Sequence, residues 1–283
     1  QFRFPHDIAV SKDGQHVYVM DTSNHRIQKF DSEGKFIRTW GRRGTAHNQF
    51  LFTTGGLCQG GIAVDSDENV YVLDPGRRVY GRRSCRGAPN PHCRSGENFH
   101  LYASVKKFDK DGNYITKWGN PHWISDWYGF RSGRFGCASD IAIDSENNFY
   151  ITDPIRNIVE KYDKNGTYVR KWGSFKLPSG SAVRMSSGAP KDPGKAVSPL
   201  TLRYPMGVAI DSKDNVYVAD SGNHRIQKYS SDGKFIRQWG QWYGYEKRHA
   251  IDGGLCSPSS TDWPVDIAID GADNVYWVDM YSS

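Results

Sequence analysis

Five short apolar runs recur along the chain: Ile8-Ala9-Val10, Ile62-Ala63-Val64, Ile141-Ala142-Ile143, Val208-Ala209-Ile210 and Ile267-Ala268-Ile269. Each is followed by a polar turn (SKDGQ, DSDEN, DSENN, DSKDN, DGADN) and then by HVYVMD, VYVLD, FYITD, VYVAD or VYWVD. Alternating β-branched and aromatic residues beside Asx and Gly turns predict a strand, a tight turn and a second strand. Four of the repeats continue with RIQKF, SVKKF, IVEKY or RIQKY, a further turn, and a fourth run closing on Trp40, Trp118, Trp172 or Trp239. Four antiparallel strands per unit, repeated at intervals along the chain, predict the blades of an all-β propeller.

The segments Asp21 to Gly41 and Asp211 to Gly240 resemble NHL repeats, down to Asn24-His25-Arg26 and Asn223-His224-Arg225. The third blade departs from that triplet, with Ile155-Arg156-Asn157 in its place, and the second is interrupted there. On this reading the chain is a single propeller domain with blades over 4–41, 60–119, 138–173, 205–240 and a partial fifth over 264–283. The resemblance implies six blades in a closed ring, so the expectation is a piece of a longer chain or assembly. The Asn-His-Arg triplets read as turn formation and inter-blade packing rather than as metal ligands.

Antiparallel order sorts the connections. The a–b and c–d turns leave one face of the disc and the b–c and d–a connections leave the other. The long stretches, 41–61, 75–104, 119–139, 173–206 and 240–265, are all of the second kind, and loops of that length tend to be functional. Thirty-one positions separate Asp74 from Val105, against six between Asp21 and Ile27.

Charge sharpens this. The net charge is +6, and the second-blade insertion carries Arg77, Arg78, Arg82, Arg83, Arg86 and Arg94 against Glu97 alone. Arg42 and Arg43 begin the preceding d–a loop. Planar guanidinium groups recognise carboxylate, sulfate or phosphate through two oxygens at once, although such a loop can equally be a solvated surface. Aromatics gather in the same class of loops: Trp123, Trp127 and Tyr128 in one, Trp242, Tyr243 and Tyr245 in another. They suit an interface or a small core of the loops' own.

The five cysteines suit an oxidising compartment. Cys85 and Cys93 enclose a short Pro-containing loop that a disulfide would pin. Cys58 and Cys137 occupy equivalent places four residues before Ile62 and Ile141, but spacing alone cannot bring their Cα atoms within about 7 Å. Cys256 stands outside both pairs. Asn165-Gly166-Thr167 is an N-glycosylation sequon in a c–d turn, and an Asn-Gly pair is also a good hairpin turn. No apolar run reaches the roughly 18 to 20 residues that cross a bilayer.

Catalysis finds little support. Some propellers similar to NHL repeats, such as the peptide α-amidating lyase, hold zinc at the axis through one His per blade. The matching positions read His6, Gly60, Ser139, Met206 and Val265, and His6 alone cannot hold a catalytic zinc. The segment DSDEN lacks the Gly and distal Glu of a calcium loop. No cofactor is expected, and no residue pattern supports structural calcium or zinc. The leading expectation is an extracellular or secreted module that binds a protein or an anionic polymer. A metal-dependent lyase or hydrolase and a single-stranded RNA-binding domain are the alternatives; cysteine usage and the sequon weigh against nucleic acid.

Overall fold

The computed structural model describes residues 1–54, 57–76, 79–81, 98–101, 103–119, 122–124, 137–173, 201–240 and 263–280, with the backbone alone for 79–81, 98–101 and 122–124. The first blade is β1 (Pro5–Val10), β2 (His16–Asp21), β3 (Arg26–Asp31) and β4 (Phe36–Trp40), in that spatial order. In the second, β5 (Gly61–Val64) and β6 (Val70–Asp74) are followed in the chain by β7 (Val79–Gly81) and β8 (Asn98–Leu101). The blade then resumes with β9 (Ser104–Phe108) and β10 (Tyr114–Trp118). After β11 (His122–Ile124) comes the third blade, β12 (Ile141–Ile143), β13 (Phe149–Asp153), β14 (Ile158–Tyr162) and β15 (Tyr168–Trp172). The fourth is β16 (Pro205–Ile210), β17 (Val216–Asp220), β18 (Arg225–Tyr229) and β19 (Phe235–Trp239), and a fifth sheet has two strands, β20 (Pro264–Ile269) and β21 (Val275–Asp279).

The fold is therefore the expected all-β propeller: four complete four-stranded sheets and a fifth of two strands. Strand a of each blade lies against strand a of the next, β1 on β5, β5 on β12, β12 on β16 and β16 on β20, so these strands line the axis. Successive side chains of a strand point to opposite faces, and strand b uses both. Val70 and Val72 pack back on Tyr18, Met20 and Ile27 of the first blade, while Tyr71 and Leu73 pack forward on Ile141, Phe149 and Ile151 of the third. The same alternation joins Tyr150 to Val216 and Val218, and Tyr217 and Ala219 to Ile267. Blades are held to one another by apolar interleaving, with each large buried side chain contributing about 1.5–3 kcal/mol.

The interleaving stops at the two outermost faces. Ile8 and Val10 on β1 are 59% and 55% exposed, and Tyr276 and Val278 on β21 are 57% and 61% exposed, because no described blade covers them.

The second-blade insertion is not wholly irregular. β7, β8 and β11 form an extra antiparallel sheet in the order β11-β8-β7, which joins a b–c insertion to the d–a connection after it. Strands of three or four residues give no readable alternation, and the sequence signals no such sheet.

Candidate functional site

The two faces differ in construction. On the turn face each a–b turn is closed by its first residue. Asp65 Oδ1 accepts the amides of Asp67 and Asn69 at 3.0 and 2.8 Å, and Asp144, Asp211 and Asp270 do the same in their turns. The second oxygen takes a Tyr hydroxyl and, in three blades, an ammonium. For Asp211 these are Tyr217 at 3.1 Å and Lys228 at 2.8 Å, and the hydrogen bonds from Lys228 and Asn215 hold its carboxyl down to about 2 against the opposing effect of burial. The first blade has Ser11 at this position, and Glu68 of the next blade substitutes by accepting from Tyr18 and Lys29. Neighbouring turns are also stitched together, Ser145 N to Asp214 at 2.8 Å and Ser212 N to Asp273 at 2.8 Å. Most polar groups of these turns are paired within the face, with Asn147 Oδ1 in the third blade buried without a partner.

On the opposite face, the Asp that ends strand b is the hub. Asp220 Oδ2 accepts from Asn223 (2.8 Å), Arg225 Nε (2.7 Å) and Gln227 (2.7 Å), and Asp21 gathers Asn24, Arg26 and Gln28 likewise. His25 and His224 take the left-handed conformation that ends a 3-10 turn, with rings beside Phe52 and Trp263. The Asn-His-Arg triplet is thus a turn and packing device. In the third blade Arg156 bridges Asp153 and Glu160, which accounts for the departure from the pattern. In the second, a buried Lys106 meets Asp74 at 2.7 Å.

The 41–54 loop folds onto this frame. Phe50 and Phe52 stack at 4.7 Å and join the core between the first two blades; here the loop aromatics build a core. Arg42 and Arg43 are exposed at its start. Trp123 lies in β11, paired in register with His100. Arg77, Arg78, Arg82, Arg83, Arg86, Arg94, Trp127, Tyr128, Trp242, Tyr243, Tyr245, Cys256 and the Cys85–Cys93 pair fall outside the described residues. Cys58 and Cys137 are joined by a disulfide with Cα atoms 4.8 Å apart, so the bridge ties the approaches to the second and third blades. Asn165 is exposed.

A third feature lies on the axis, one position after the residues compared in the search for axial histidines. Immediately before each anchor stand Asp7, Gly61, Asp140, Gly207 and Asp266, an alternation visible in the sequence once the anchors are aligned. Each of the first two carboxylates serves two blades. Asp7 accepts the amide of Ile8 at 2.7 Å and that of Ile62 at 2.7 Å. Asp140 accepts Ile141 at 2.7 Å and Val208 at 2.8 Å, and Asp266 accepts Ile267 at 2.8 Å. Glycine makes the sharing feasible, because a Cβ on Gly61 would sit 2.6 Å from Asp140 Oδ1 and 3.0 Å from Asp7 Oδ2.

Burial and the charge of Asp266 push Asp7 up to about 7, against the pull of its two amide donors. Burial, Asp7 and Asp266 hold Asp140 well above the usual carboxylate range. Desolvation raises Asp266 as well. Neighbouring like charges oppose one another's ionisation, so Asp7 and Asp140 hold their protons well above the usual carboxylate range. His6 is exposed, and the protein around its ring lowers its pKa. Among the described residues no group of three or more His, Cys, Asp or Glu is arranged to hold a metal.

The NHL repeat family model matches residues 2–30 and 202–229, spanning the two regions where the Asp hub, the left-handed His and the paired Arg coincide. Two segments of the chain match the NHL repeat. NHL repeat-containing protein 3 of Mus musculus is 21% identical over 250 residues, covering 86% of this chain and 57% of that protein. Protein brain tumor of Drosophila melanogaster is 26% identical over 115 residues, covering 40% of this chain and 9% of that protein. The chain therefore spans less than two thirds of either relative. Among solved structures, a chain in a nidogen/laminin complex covers 97% of this one at 15% identity and a TM-score of 0.51, with 72% of its own length matched; the likeness is one of fold. A virginiamycin B lyase from Staphylococcus aureus, covering 97% of this chain and 77% of its own at 16% identity, has a TM-score of 0.44, and no functional argument rests on it. Among the described residues no helix is long and apolar enough to cross a membrane.

Proposed function

We propose that this NHL-repeat propeller is an extracellular binding or assembly module that engages a protein or an anionic polymer through the face bearing the long d–a loops and the Arg-rich b–c insertion. The observation that carries the reading is the contrast between the faces. The turn face closes every turn on its own Asp, Ser or Glu acceptors and leaves little for a partner to satisfy. The other face carries the exposed Arg42 and Arg43 and the additional three-stranded sheet of β7, β8 and β11, and the arginines at 77–94 belong by sequence to the b–c connection that contains β7 and β8. The Cys58–Cys137 bridge accords with an oxidising compartment, and the fold is one that also occurs in a nidogen/laminin complex.

The reading is tested by binding of the purified chain to cell-free extracellular matrix. Arg42, Arg43, Arg77, Arg78, Arg82 and Arg83 are changed together to Ser in one variant; Lys12, Lys110, Lys164 and Lys213, in turns of the opposite face, are changed to Ser in another. A charge-assisted contact contributes about 1.5–3 kcal/mol, so the arginine variant is expected to bind at least about tenfold more weakly, with the lysine variant near wild type. Enzymatic removal of sulfated glycans from the matrix separates a polymer from a protein partner. Equal binding by the arginine variant and wild type would overturn the proposal.

A further inference from the structure

The c–d turn of the third blade, residues 163–167, is built by Asp163 and Gly166. Asp163 Oδ1 accepts the amides of Asn165 and Thr167 at 2.9 and 2.8 Å, and Gly166 supplies the one left-handed residue, at φ 78°. Asn165 does not have a positive φ, so the turn does not draw on the tolerance of Asn for that region. The same position holds Glu33, Asp111 and Asp232 in the other blades. The Asn165 side chain is thus exposed and dispensable to the turn, and Thr167, two residues on, is exposed too.

A second observation is independent of the sequon. At two blade junctions an arginine of strand d reaches across to the next c–d turn: Arg38 donates to the carbonyl of Asp111, and Arg170 to that of Asp232 at 2.7 Å. These arginines stand opposite Lys29 and Lys161 in register. The residue in that register in the second blade is Thr116, opposite Lys107. Hence, of the three c–d turns that follow a complete described blade, the one without an arginine clamp carries Asn165-Gly166-Thr167. Trp118 packs against Gly166, while Asn165 and Thr167 on either side of it are exposed.

We propose that Asn165 is an N-glycan attachment site, with Thr116 providing the clearance that lets the folded blade carry the glycan. The proposal rests on the extracellular reading above. In the modification the Asn165 amide nitrogen bonds to the anomeric carbon of a lipid-diphosphate-linked oligosaccharide. The carbon–oxygen bond to the diphosphate breaks with its electrons, and the amide gives up one proton. A glycan here would cover the turn face and leave the loop face accessible.

The test is expression of the whole chain behind a secretory leader in eukaryotic cells, with intact mass measured before and after an N-glycan amidase. Loss of one oligosaccharide from wild type is expected, none from Asn165→Gln, and the same urea midpoint for glycosylated and enzymatically deglycosylated chain. Moving the sequon to the second blade with Asp111→Asn and Asn113→Thr is expected to lower the midpoint of the glycosylated form, because Arg38 is displaced. An unmodified Asn165 in the secreted chain would overturn the site. A transplanted glycan that leaves the midpoint unchanged would overturn the role of Thr116. A glycosylated leader-borne chain beside an unmodified endogenous protein would instead overturn the extracellular reading.

Discussion

The proton on Asp7 gives the molecule an unusual pH dependence. The unfolded chain releases it near 3.8 and the folded chain holds it to about 7, so between those values the folded state binds more protons and stability falls as pH rises. Asp140 acts in the same direction. Carboxyls held low, such as Asp211 at about 2, act oppositely: their contribution is complete above about 4 and is lost as pH falls through the folded value. Stability should therefore peak near pH 4–5 and decline by an amount on the order of a few kcal/mol by pH 7.5. Urea midpoints at pH 4.5, 6 and 7.5 measure this. The decline should flatten in Asp7→Asn and Asp140→Asn, whereas a midpoint that rises steadily to pH 7.5 in wild type would contradict the axial assignment. These residues were legible in the sequence, but only as an alternation with Gly61 and Gly207 across five repeats, which no one repeat displays.

Whole strands were far easier to read than the segments between them. The Ile-Ala-Val anchors and the VYV runs announce their pairing because one residue in two faces a neighbouring blade, and each turn opens on its own Asp or Ser cap. The loop at 41–54 offers no such period; Phe50 and Phe52 join the core through a contact that only the assembled blades create. Cys58 and Cys137 show the same limit. Their equivalent places suggested a bridge, and only the lateral approach of β5 and β12 decides that 4.8 Å separates their Cα atoms. The bridge closes a stretch of 79 residues, long enough for its removal to cost about 2–4 kcal/mol. Joint replacement of Cys58 and Cys137 by Ser should lower the urea unfolding free energy by that amount, and a thiol reductant should bring wild type down to the level of the variant. Equal stability of variant and oxidised wild type would show that the bridge contributes nothing.

At the scale of the whole molecule the proposal gives the two faces of the disc separate tasks. The turn face completes the blades with its own Asp, Tyr and Lys groups. Among the described residues the loop face adds the exposed Arg42 and Arg43 and the extra sheet of β7, β8 and β11. Fold is silent on function, so the claim rests on this asymmetry, and side-chain footprinting of the matrix-bound chain, compared with the free chain, tests it most directly. Protection is expected at 41–54 and across 75–103, with the turns at 11–16, 109–113, 144–148 and 211–215 as reactive as in the free chain. Protection of those turns, with the loop face unchanged, would contradict the account.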